Sequence, residues 1–328
     1  MGDVTAEAAI GRAAADARAE AAGAAVRASG LHKRFGALTA VEGLDLEIPT
    51  GRFFGLLGPN GSGKTTTIHM LSTLIRPTAG RAWVAGRDVL SEPVTVRRAI
   101  GLVFQESALD RSLTVEENLT FTAALHDVAP RVARPRIGEL LELFGLTDKR
   151  HVIVGRLSGG MRRALDIVRG VLHRPRILFL DEPTIGLDVI NRRAIWRYID
   201  RLRDHEGMTV LLTTHYLEEA EDCHQVVFLN QGRLIGAGSP REMVDGLGAY
   251  ILEVEGAESA LVGAELRARL GEPLEEGEKL VFRIPDEDFP LAALQDQLRA
   301  RVKGSHVRRP DLNDVYLWLN SAGSGGDR

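Results

Sequence analysis

The chain has 328 residues, of which 44% are hydrophobic and 26% charged, with a formal net charge of −4 and a single cysteine. This length and apolar content suffice for one large domain and a smaller one. The small negative charge gives no general attraction to nucleic acid, so no nucleic-acid partner is expected, and a single cysteine excludes an intrachain disulfide.

Residues 1–25 are rich in alanine and lack the apolar stretch that a signal peptide needs. They also carry acidic side chains, which argue against a transit peptide: Asp3, Glu7, Asp16 and Glu20. With few large apolar side chains to dock, this segment is predicted to be a flexible extension. No window has the roughly 18 apolar residues of a membrane span, so other subunits are expected to provide any membrane part.

The next segment predicts an α/β domain over residues 26–247. Apolar runs without period-2 alternation are typical of parallel strands that are covered on both faces. These runs occupy residues 53–57, 99–104, 177–180, 210–212 and 226–229. Amphipathic segments between them predict a helical insert at about 107–174.

The C-terminal part predicts a small α+β accessory domain over residues 248–320. Its pattern alternates strands with helices, at 250–254, 259–270, 280–284, 291–302 and 311–319. The last residues, 321–328, read SAGSGGDR and are predicted to be disordered.

A glycine-rich loop, GPNGSGKT at 58–65, lies between an apolar strand and a helix, which is the context of a phosphate-binding Walker A motif. Its glycines allow backbone N–H groups to point at phosphates, Lys64 can reach the β- and γ-phosphates, and the Thr65 hydroxyl can bind Mg²⁺. The predicted ATP-binding residues of this loop are Gly58, Pro59, Asn60, Gly61, Ser62, Gly63, Lys64, Thr65 and Thr66.

Four polar side chains follow apolar strands, where ligands bind at the edge of an open α/β sheet. Asp181 in ILFLDEP is placed to bind Mg²⁺, and Glu182 can orient and deprotonate a water molecule. Gln105 follows AIGLVF and can contact the metal or the water. His215 follows TVLLTT and can donate to the γ-phosphate.

A second phosphate-cradle pattern without a lysine, LSGGM, opens a helix at 157–161. Small residues at a helix N-terminus expose backbone donors to an anion, as the first loop also does. Its residues are Leu157, Ser158, Gly159, Gly160 and Met161.

Taken together, these motifs resemble the nucleotide-binding subunit of an ABC transporter over about residues 26–240. The family's Q-loop glutamine, post-Walker B glutamate and switch histidine match Gln105, Glu182 and His215, and Phe35 stands where the family stacks adenine. The D-loop matches Gly186, Leu187 and Asp188. The resemblance implies a P-loop NTPase core with an inserted helical subdomain, ATP hydrolysis by Glu182, His215 and Gln105, and Mg²⁺ held by Thr65, Gln105 and Asp181.

The family resemblance also implies what the second cradle does. In that family, the signature of one subunit faces the Walker A motif of another, so residues 157–161 are expected to act across a homodimer or heterodimer. A membrane partner is expected to couple through the helical insert and the Q-loop.

Several longer stretches, such as SGGMRRALDIVRG and RRPDLNDVYLWL, resemble drug-exporter subunits of the daunorubicin-resistance (ABC-2) type. This implies a separately encoded ABC-2 permease and a peripheral position on the cytoplasmic face of the cell membrane. Two positions depart from the family: Ile185 replaces a usual hydroxyl residue, and VINRR follows the D-loop without the usual proline. Two alternatives stay open, a soluble ABC ATPase of a nucleic-acid or ribosome process and a scaffold that barely hydrolyses ATP.

Overall fold

The computed structural model describes residues 23–256, 260–299 and 301–324. These residues divide into two compact units. The first contains the described residues up to His215 together with Leu229–Leu234, and the second contains Tyr216–Phe228 and the residues from Ile235 onward. None of the described helices is both long and apolar enough to cross a bilayer.

The first unit begins with an antiparallel sheet in the order β2-β1-β4-β5. Its strands are β1 (Ala24–Phe35), β2 (Leu38–Pro49), β4 (Ala79–Val84) and β5 (Arg87–Asp88). The burial of β2 alternates along part of its length, because one face of this sheet is packed and the other is exposed. This antiparallel sheet is not among the features predicted from the sequence.

A second sheet carries parallel strands in the order β3-β8-β7-β6, and almost all of their residues are buried. The strands are β3 (Phe53–Leu57), β6 (Ile100–Val103), β7 (Ile177–Asp181) and β8 (Thr209–Thr214). The prediction of parallel strands covered on both faces is confirmed for these four strands. Because parallel strands share one carboxyl edge, the residues that follow β3, β7 and β8 are brought close together.

Helices complete the first unit. They are α1 (Lys64–Leu71), α2 (Pro93–Ala99), α3 (Val115–Leu125), α4 (Pro130–Leu143), α5 (Gly159–Val171) and α6 (Val189–Glu206), with short 3₁₀ turns at Thr147–Lys149 and Val154–Arg156. The helix α3 starts with a capping box, in which Thr114 and Glu117 satisfy each other's backbone N–H groups. The apolar side of α5 is buried, as its sequence pattern predicts: Leu165, Val168, Val171 and Leu172.

The strands β9 (Gln225–Asn230) and β10 (Arg233–Gly238) have residues in both units, and a 3₁₀ turn at Leu217–Ala220 precedes them. The single cysteine, Cys223, is buried.

The rest of the second unit contains α7 (Pro240–Asp245) and an antiparallel sheet in the order β12-β13-β11-β14. Its elements are β11 (Tyr250–Glu255), α8 (Ala260–Leu270), β12 (Leu274–Glu276), β13 (Lys279–Ile284), α9 (Leu291–Leu298), β14 (Gly304–Arg308) and α10 (Leu312–Ser324). The connection β-α-β-β-α-β with this strand order is the ferredoxin-like topology. Leu252, Val254, Phe282 and Ile284 pack against the two helices of this motif.

Two sequence-based boundaries, one near each end of the chain, differ from the structure. β1 begins at Ala24 because small buried alanines pair with β2, whereas residues 1–22 of the predicted extension lie outside the described residues. α10 continues to Ser324, so residues 321–324, which the sequence predicts to be disordered, are helical. The last four residues lie outside the described part of the chain.

Candidate functional site

The glycine-rich loop after β3 is packed so closely that two of its glycines cannot be replaced. Gly58 and Gly63 have φ angles of 146° and 103°. A Cβ atom on Gly58 would lie 2.2 Å from the Leu229 carbonyl oxygen, and one on Gly63 would lie 2.5 Å from that of Ala40. Glycine is therefore required here both by the backbone conformation and by the available space. Within the same loop, Pro59, Asn60 and Gly61 are exposed, and Thr66 is half-buried.

The ammonium group of Lys64 lies inside this loop. Its Nζ donates to the carbonyl oxygens of Gly58 at 2.8 Å and Pro59 at 3.0 Å. It also lies 3.7 Å from Oε1 of Glu182. Burial lowers the pKa of Lys64, and the nearby carboxylates of Glu182 and Asp181 partly offset this effect. The sequence-predicted lysine and the post-strand glutamate therefore meet in one site.

Asp181, at the end of β7, joins the loop to the neighbouring strand β8. Its Oδ1 accepts hydrogen bonds from Oγ1 of Thr213 at 2.6 Å and from Oγ1 of Thr65 at 3.1 Å. The side chain is only 1% exposed. A carboxylate and a hydroxyl held side by side present the oxygen donors that Mg²⁺ prefers.

Glu182 has an unusual backbone conformation for a residue with a side chain, with a φ of 47°. Its N–H donates to the carbonyl and hydroxyl oxygens of Thr213, both at 3.1 Å. Its Oε2 lies 3.3 Å from Nδ1 of His215, which follows β8. The carboxylate thus has a cation on one side and an imidazole on the other.

Two predicted residues lie outside this cluster. Gln105 is exposed after β6, and none of the hydrogen bonds described for this part of the chain connects it to Asp181 or Glu182. Phe35, at the end of β1, is 49% exposed, and Nζ of Lys33 lies 4.8 Å from the centroid of its ring. One aromatic face is therefore available for stacking.

The second cradle forms the start of α5. Ser158 caps the helix, and its hydroxyl oxygen accepts from the N–H of Met161 at 3.2 Å. Leu157 is buried, whereas Ser158 and Gly159 are exposed. Exposed N–H groups at a capped helix N-terminus attract an anion from outside the subunit.

The D-loop is held beside this cradle by the first turn of α6. Asp188 accepts from the backbone N–H of Asn191 at 2.9 Å and from its Nδ2 at 2.7 Å. The Asn191 side chain in turn covers Gly160, where a Cβ atom would lie 2.2 Å from Oδ1 of Asn191. Gly186 is exposed and Leu187 is half-buried. The predicted signature and D-loop residues therefore form one surface region.

Two residues of the site escape prediction from the sequence. Thr213 is a polar position within the buried β8, and a hydroxyl on a doubly covered strand is the signal that points to it. Arg163 is 7% exposed on the buried side of α5 and donates to backbone carbonyls at the ends of β6 and β7. The corresponding signal is an arginine at a position that helical periodicity assigns to the buried face of α5, together with positions 160, 167 and 171.

The residues fit a nucleotide and its metal ion by their own chemistry. The Ser62 hydroxyl is buried, yet it has no hydrogen-bond partner among the described residues, so it can serve a phosphate oxygen. The Lys64 ammonium group lies in the same loop, where its Nζ donates to Gly58 and Pro59. Thr65 and Asp181 supply hard oxygen ligands.

The comparisons with known proteins agree with this chemistry. The family described as "ABC transporter" matches residues 41–185. The chain is 42% identical to the daunorubicin resistance ATP-binding protein DrrA2 of Streptomyces coeruleorubidus, over 90% of this chain and 95% of that protein. It is 38% identical to the Nod factor export ATP-binding protein I of Burkholderia thailandensis, over 88% and 94% of the two chains.

Solved structures show the same fold. An ATP-binding subunit of an ABC transporter superposes with a TM-score of 0.61 at 28% identity, covering 66% of this chain and 91% of the other. A dimeric ATP-binding cassette in a post-hydrolysis state, with ADP and Pi bound, gives a TM-score of 0.60 at 27% identity over 65% and 98% of the chains. The chain therefore belongs to the ATP-binding proteins of ABC transporters, and it is an ATPase subunit of such a transporter.

Proposed function

We propose that this ATPase powers an exporter of the drug (ABC-2) type, in which a separate permease selects the cargo. Support comes from relatives whose names describe daunorubicin resistance and Nod factor export, and which match nearly the whole chain. A soluble ATPase of a nucleic-acid or ribosome process is disfavoured, because the relatives that match nearly the whole chain are named for drug resistance and Nod factor export.

The observation that carries the catalytic assignment is the position of Glu182 between Lys64 and His215, next to the pair of Asp181 and Thr65. Glu182 takes a proton from a water molecule as the oxygen of that water attacks the γ-phosphorus. The bond from that phosphorus to the β–γ bridging oxygen breaks, and ADP and phosphate form. Lys64 neutralises charge on the phosphates, and His215 donates to the γ-phosphate.

Magnesium belongs to this proposal. Thr65 and Asp181, with Gln105 once its loop approaches, would hold Mg²⁺, which would neutralise the charge on the β- and γ-phosphates. Phe35 would provide the stacking surface for adenine through its exposed ring face.

The exposed cradle at Ser158 and Gly159 supports an ATP site that is built from two subunits. In this proposal, two copies of the chain, or this chain and a related one, enclose ATP between Lys64 of one subunit and Ser158 of the other. The γ-phosphate then favours the closed dimer, and its loss reopens it. Shifting such an equilibrium from 1:99 to 99:1 takes about 5.5 kcal/mol of differential binding, to which two bridging phosphates contribute.

A mixing experiment tests the composite site. Lys64→Ala removes ATP binding, and Ser158→Arg blocks the cradle, so each protein alone should be inactive. Their mixture contains one intact site per mixed dimer and should regain a part of the activity. A mixture as inactive as its components would contradict the proposal.

A second experiment tests the catalytic base. Glu182→Gln keeps the shape of the side chain but cannot accept the proton, so this variant should bind ATP and accumulate as a stable dimer in size-exclusion chromatography. Hydrolysis at the unchanged rate would show that Glu182 is not the base.

A groove of the first unit provides a docking surface for the permease. Four exposed apolar side chains line it: Leu74, Val94, Phe121 and Leu125. The groove extends to Phe104 and Ala108, on both sides of Gln105 in the chain. A cytoplasmic helix of the permease fits here, because an exposed apolar groove matches the apolar face of a helix and docking would reach the Q-loop. It would keep the subunit at the cytoplasmic face of the membrane.

The groove is tested with the permease subunit of the proposed exporter. Phe121→Asp should abolish co-purification of the two proteins from membranes while the basal ATPase rate is unchanged. Val132→Asp is the matched control, because Val132 is 52% exposed on α4 but does not line the groove. Equal co-purification of both variants would exclude this surface.

A further inference from the structure

Arg163 connects the signature helix to two catalytic loops. Its guanidinium is buried and donates to the carbonyl oxygens of four residues. Nε donates to Pro183 and Nη1 to Phe104, while Nη2 donates to Asp181 at 3.2 Å and Glu182 at 3.0 Å.

These carbonyl groups are next to groups that the proposed reaction uses. Phe104 directly precedes Gln105, and the other three form the backbone around the proposed base. Arg163 itself lies in the first turns of α5, five positions after Ser158. One planar group thus connects the helix that faces the partner's nucleotide with the ends of β6 and β7.

The backbone of Glu182 depends on this contact. A φ of 47° is unfavourable for a residue with a side chain and persists where the surroundings determine it. Thr213 holds the N–H of Glu182 on one side, and Arg163 holds its carbonyl oxygen on the other. The N–H of Ile185 also donates to this carbonyl oxygen, at 3.3 Å. Together these contacts favour the backbone conformation that places the side chain between Lys64 and His215.

A lysine cannot replace these contacts. A guanidinium presents five N–H donors in a rigid plane, whereas an ammonium is a compact charge on a flexible chain. Lysine at this position would keep the charge and most of the volume, but it would lose the simultaneous contact with the ends of two strands.

We infer that Arg163 is a positioning residue, which transmits the position of the signature helix to the Glu182 and Gln105 loops. The inference rests on the proposed function, because it takes Glu182 to be the base and the signature to face a partner's nucleotide. Arg163 touches neither nucleotide nor water in this view, and it acts through the backbone of the two loops.

The first test is Arg163→Lys in the full chain. The kcat for ATP hydrolysis should fall by about 10- to 100-fold, as expected when a base is displaced by about an ångström. The dissociation constant of ATP should change by less than about threefold, because the P-loop keeps its contacts. Equal losses in ATP binding and kcat, or an unchanged kcat, would overturn the inference.

Arg169→Lys is the matched control. Arg169 lies on the same helix, and burial lowers its pKa as it lowers that of Arg163. None of the described hydrogen bonds connects Arg169 to the β6 or β7 ends. Arg169→Lys should leave the basal kcat within about twofold of the unchanged protein. If its kcat fell as much as that of Arg163→Lys, the loss would come from general destabilisation of the helix, and the inference would be overturned.

A double variant separates this inference from the assignment of the base. If Arg163 acts mainly through Glu182, then Arg163→Lys should slow single-turnover hydrolysis much less in the Glu182→Gln background than in the unchanged protein, the remaining loss coming from the Gln105 loop. Multiplying losses would overturn the inference while leaving the base assigned. A fast Glu182→Gln protein would instead contradict the proposed function itself.

A measurement on the unmodified arginine covers the case in which Arg163→Lys does not fold. In the Glu182→Gln protein, hydrogen exchange is followed at 104–106, at 181–185 and at the start of α5, before and after addition of ATP. The three segments should gain protection together. Protection of the helix start without the two loops would overturn the inference.

Discussion

Oγ1 of Thr65 donates a hydrogen bond to Oδ1 of Asp181 at 3.1 Å, although 116 positions separate the two residues in the chain. This contact brings the hydroxyl of the P-loop to the carboxylate at the end of β7. Two of the three proposed Mg²⁺ ligands, Thr65 and Asp181, are thus adjacent in the fold.

Asp181→Asn removes the charge of this pair with little change of shape. The Mg²⁺ concentration for half-maximal ATPase activity should rise by at least about 10- to 100-fold, because a neutral amide is a weaker ligand than a carboxylate. Titrating Mg²⁺ at saturating ATP measures this shift. Thr213→Val keeps the Asp181 carboxylate but removes the hydroxyl that donates to it and accepts from the N–H of Glu182, so it should give a smaller shift in Mg²⁺ dependence. An unchanged Mg²⁺ dependence of Asp181→Asn would contradict the proposed ligand.

Much of this site follows from the sequence, because its residues occupy strand ends and a glycine-rich loop, which have strong local signals. Lys64, Asp181, Glu182 and His215 are each found next to an apolar strand or at the start of a helix. The shared edge of parallel strands then brings them together. The exposed position of Gln105 does not follow, since the path of a loop after its strand depends on what packs beside it.

The remaining features depend on contacts that are distant in sequence. The positive φ of Glu182 needs Thr213 and Arg163, and neither is adjacent to it in the chain. Among the secondary-structure elements, β12 and β14 escape prediction because their sequences, LEE and GSHVR, lack an apolar alternation. Pairing with β13 and β11 makes them strands, and this information lies outside the segments themselves.

Because Gly160 packs closely against Asn191, alanine should destabilise the protein at position 160 but not at the neighbouring Gly159. In Gly160→Ala, the new methyl group would displace the Asn191 side chain, whose Oδ1 lies 2.2 Å from the position of a Cβ atom. The bond from Asn191 to Asp188 would then be lost, and we expect the free energy of unfolding to fall by about 1–2 kcal/mol. Urea denaturation followed by circular dichroism measures this change.

Gly159→Ala is the control, because no atom lies within 4 Å of a Cβ atom at this position. Alanine is also the better helix former, so its stability should be unchanged or higher by up to about 1 kcal/mol. Asn191→Ala makes room for the methyl group. In that background, Gly160→Ala should lower the free energy of unfolding by less than it does in the unchanged protein. Equal effects of the two glycine substitutions would contradict the close contact.

The stacked histidines His126 and His173 predict a loss of stability in mild acid. Their ring centroids are 3.7 Å apart, and burial, with His126 nearby, lowers the pKa of His173 to about 4. Because an unfolded histidine has a pKa of about 6.5, the unfolded state binds more protons between these values. Stability should therefore fall as the pH drops below about 6.5, by up to about 2 kcal/mol at pH 5.

His173→Phe isolates this effect, since it keeps a buried aromatic ring that cannot be protonated. The hydrogen bond between Nε2 of His173 and the carbonyl oxygen of Ile100 is lost at every pH, so it shifts the whole curve without changing its slope. Urea unfolding from pH 7.5 to 5 should be less pH-dependent in this variant than in the unchanged protein. Parallel curves would show that His173 remains neutral in both states or charged in both.

In the second unit, the stability of α10 is expected to depend strongly on the buried carboxylate of Asp314. Asp314 is 1% exposed and accepts from Nη1 of Arg308 at 2.7 Å and Nη2 at 2.8 Å. It also accepts from the N–H of Asp311, which satisfies a donor at the start of the helix. Asp314→Asn leaves the Arg308 cation without its bidentate partner, although Glu253 still binds it at 2.8 Å.

We expect Asp314→Asn to lower the free energy of local unfolding of α10 by about 2–3 kcal/mol, somewhat less than for a fully buried pair, because Arg308 is 32% exposed. Hydrogen exchange of residues 312–321 in the full chain measures this free energy. Glu275→Gln is the control: its bond with Arg267, also 2.8 Å long, joins side chains that are 67% and 35% exposed. An exposed pair contributes less than about 1 kcal/mol, so exchange of α10 should not change there. If both variants exchanged alike, burial of Asp314 would not be what fixes this helix.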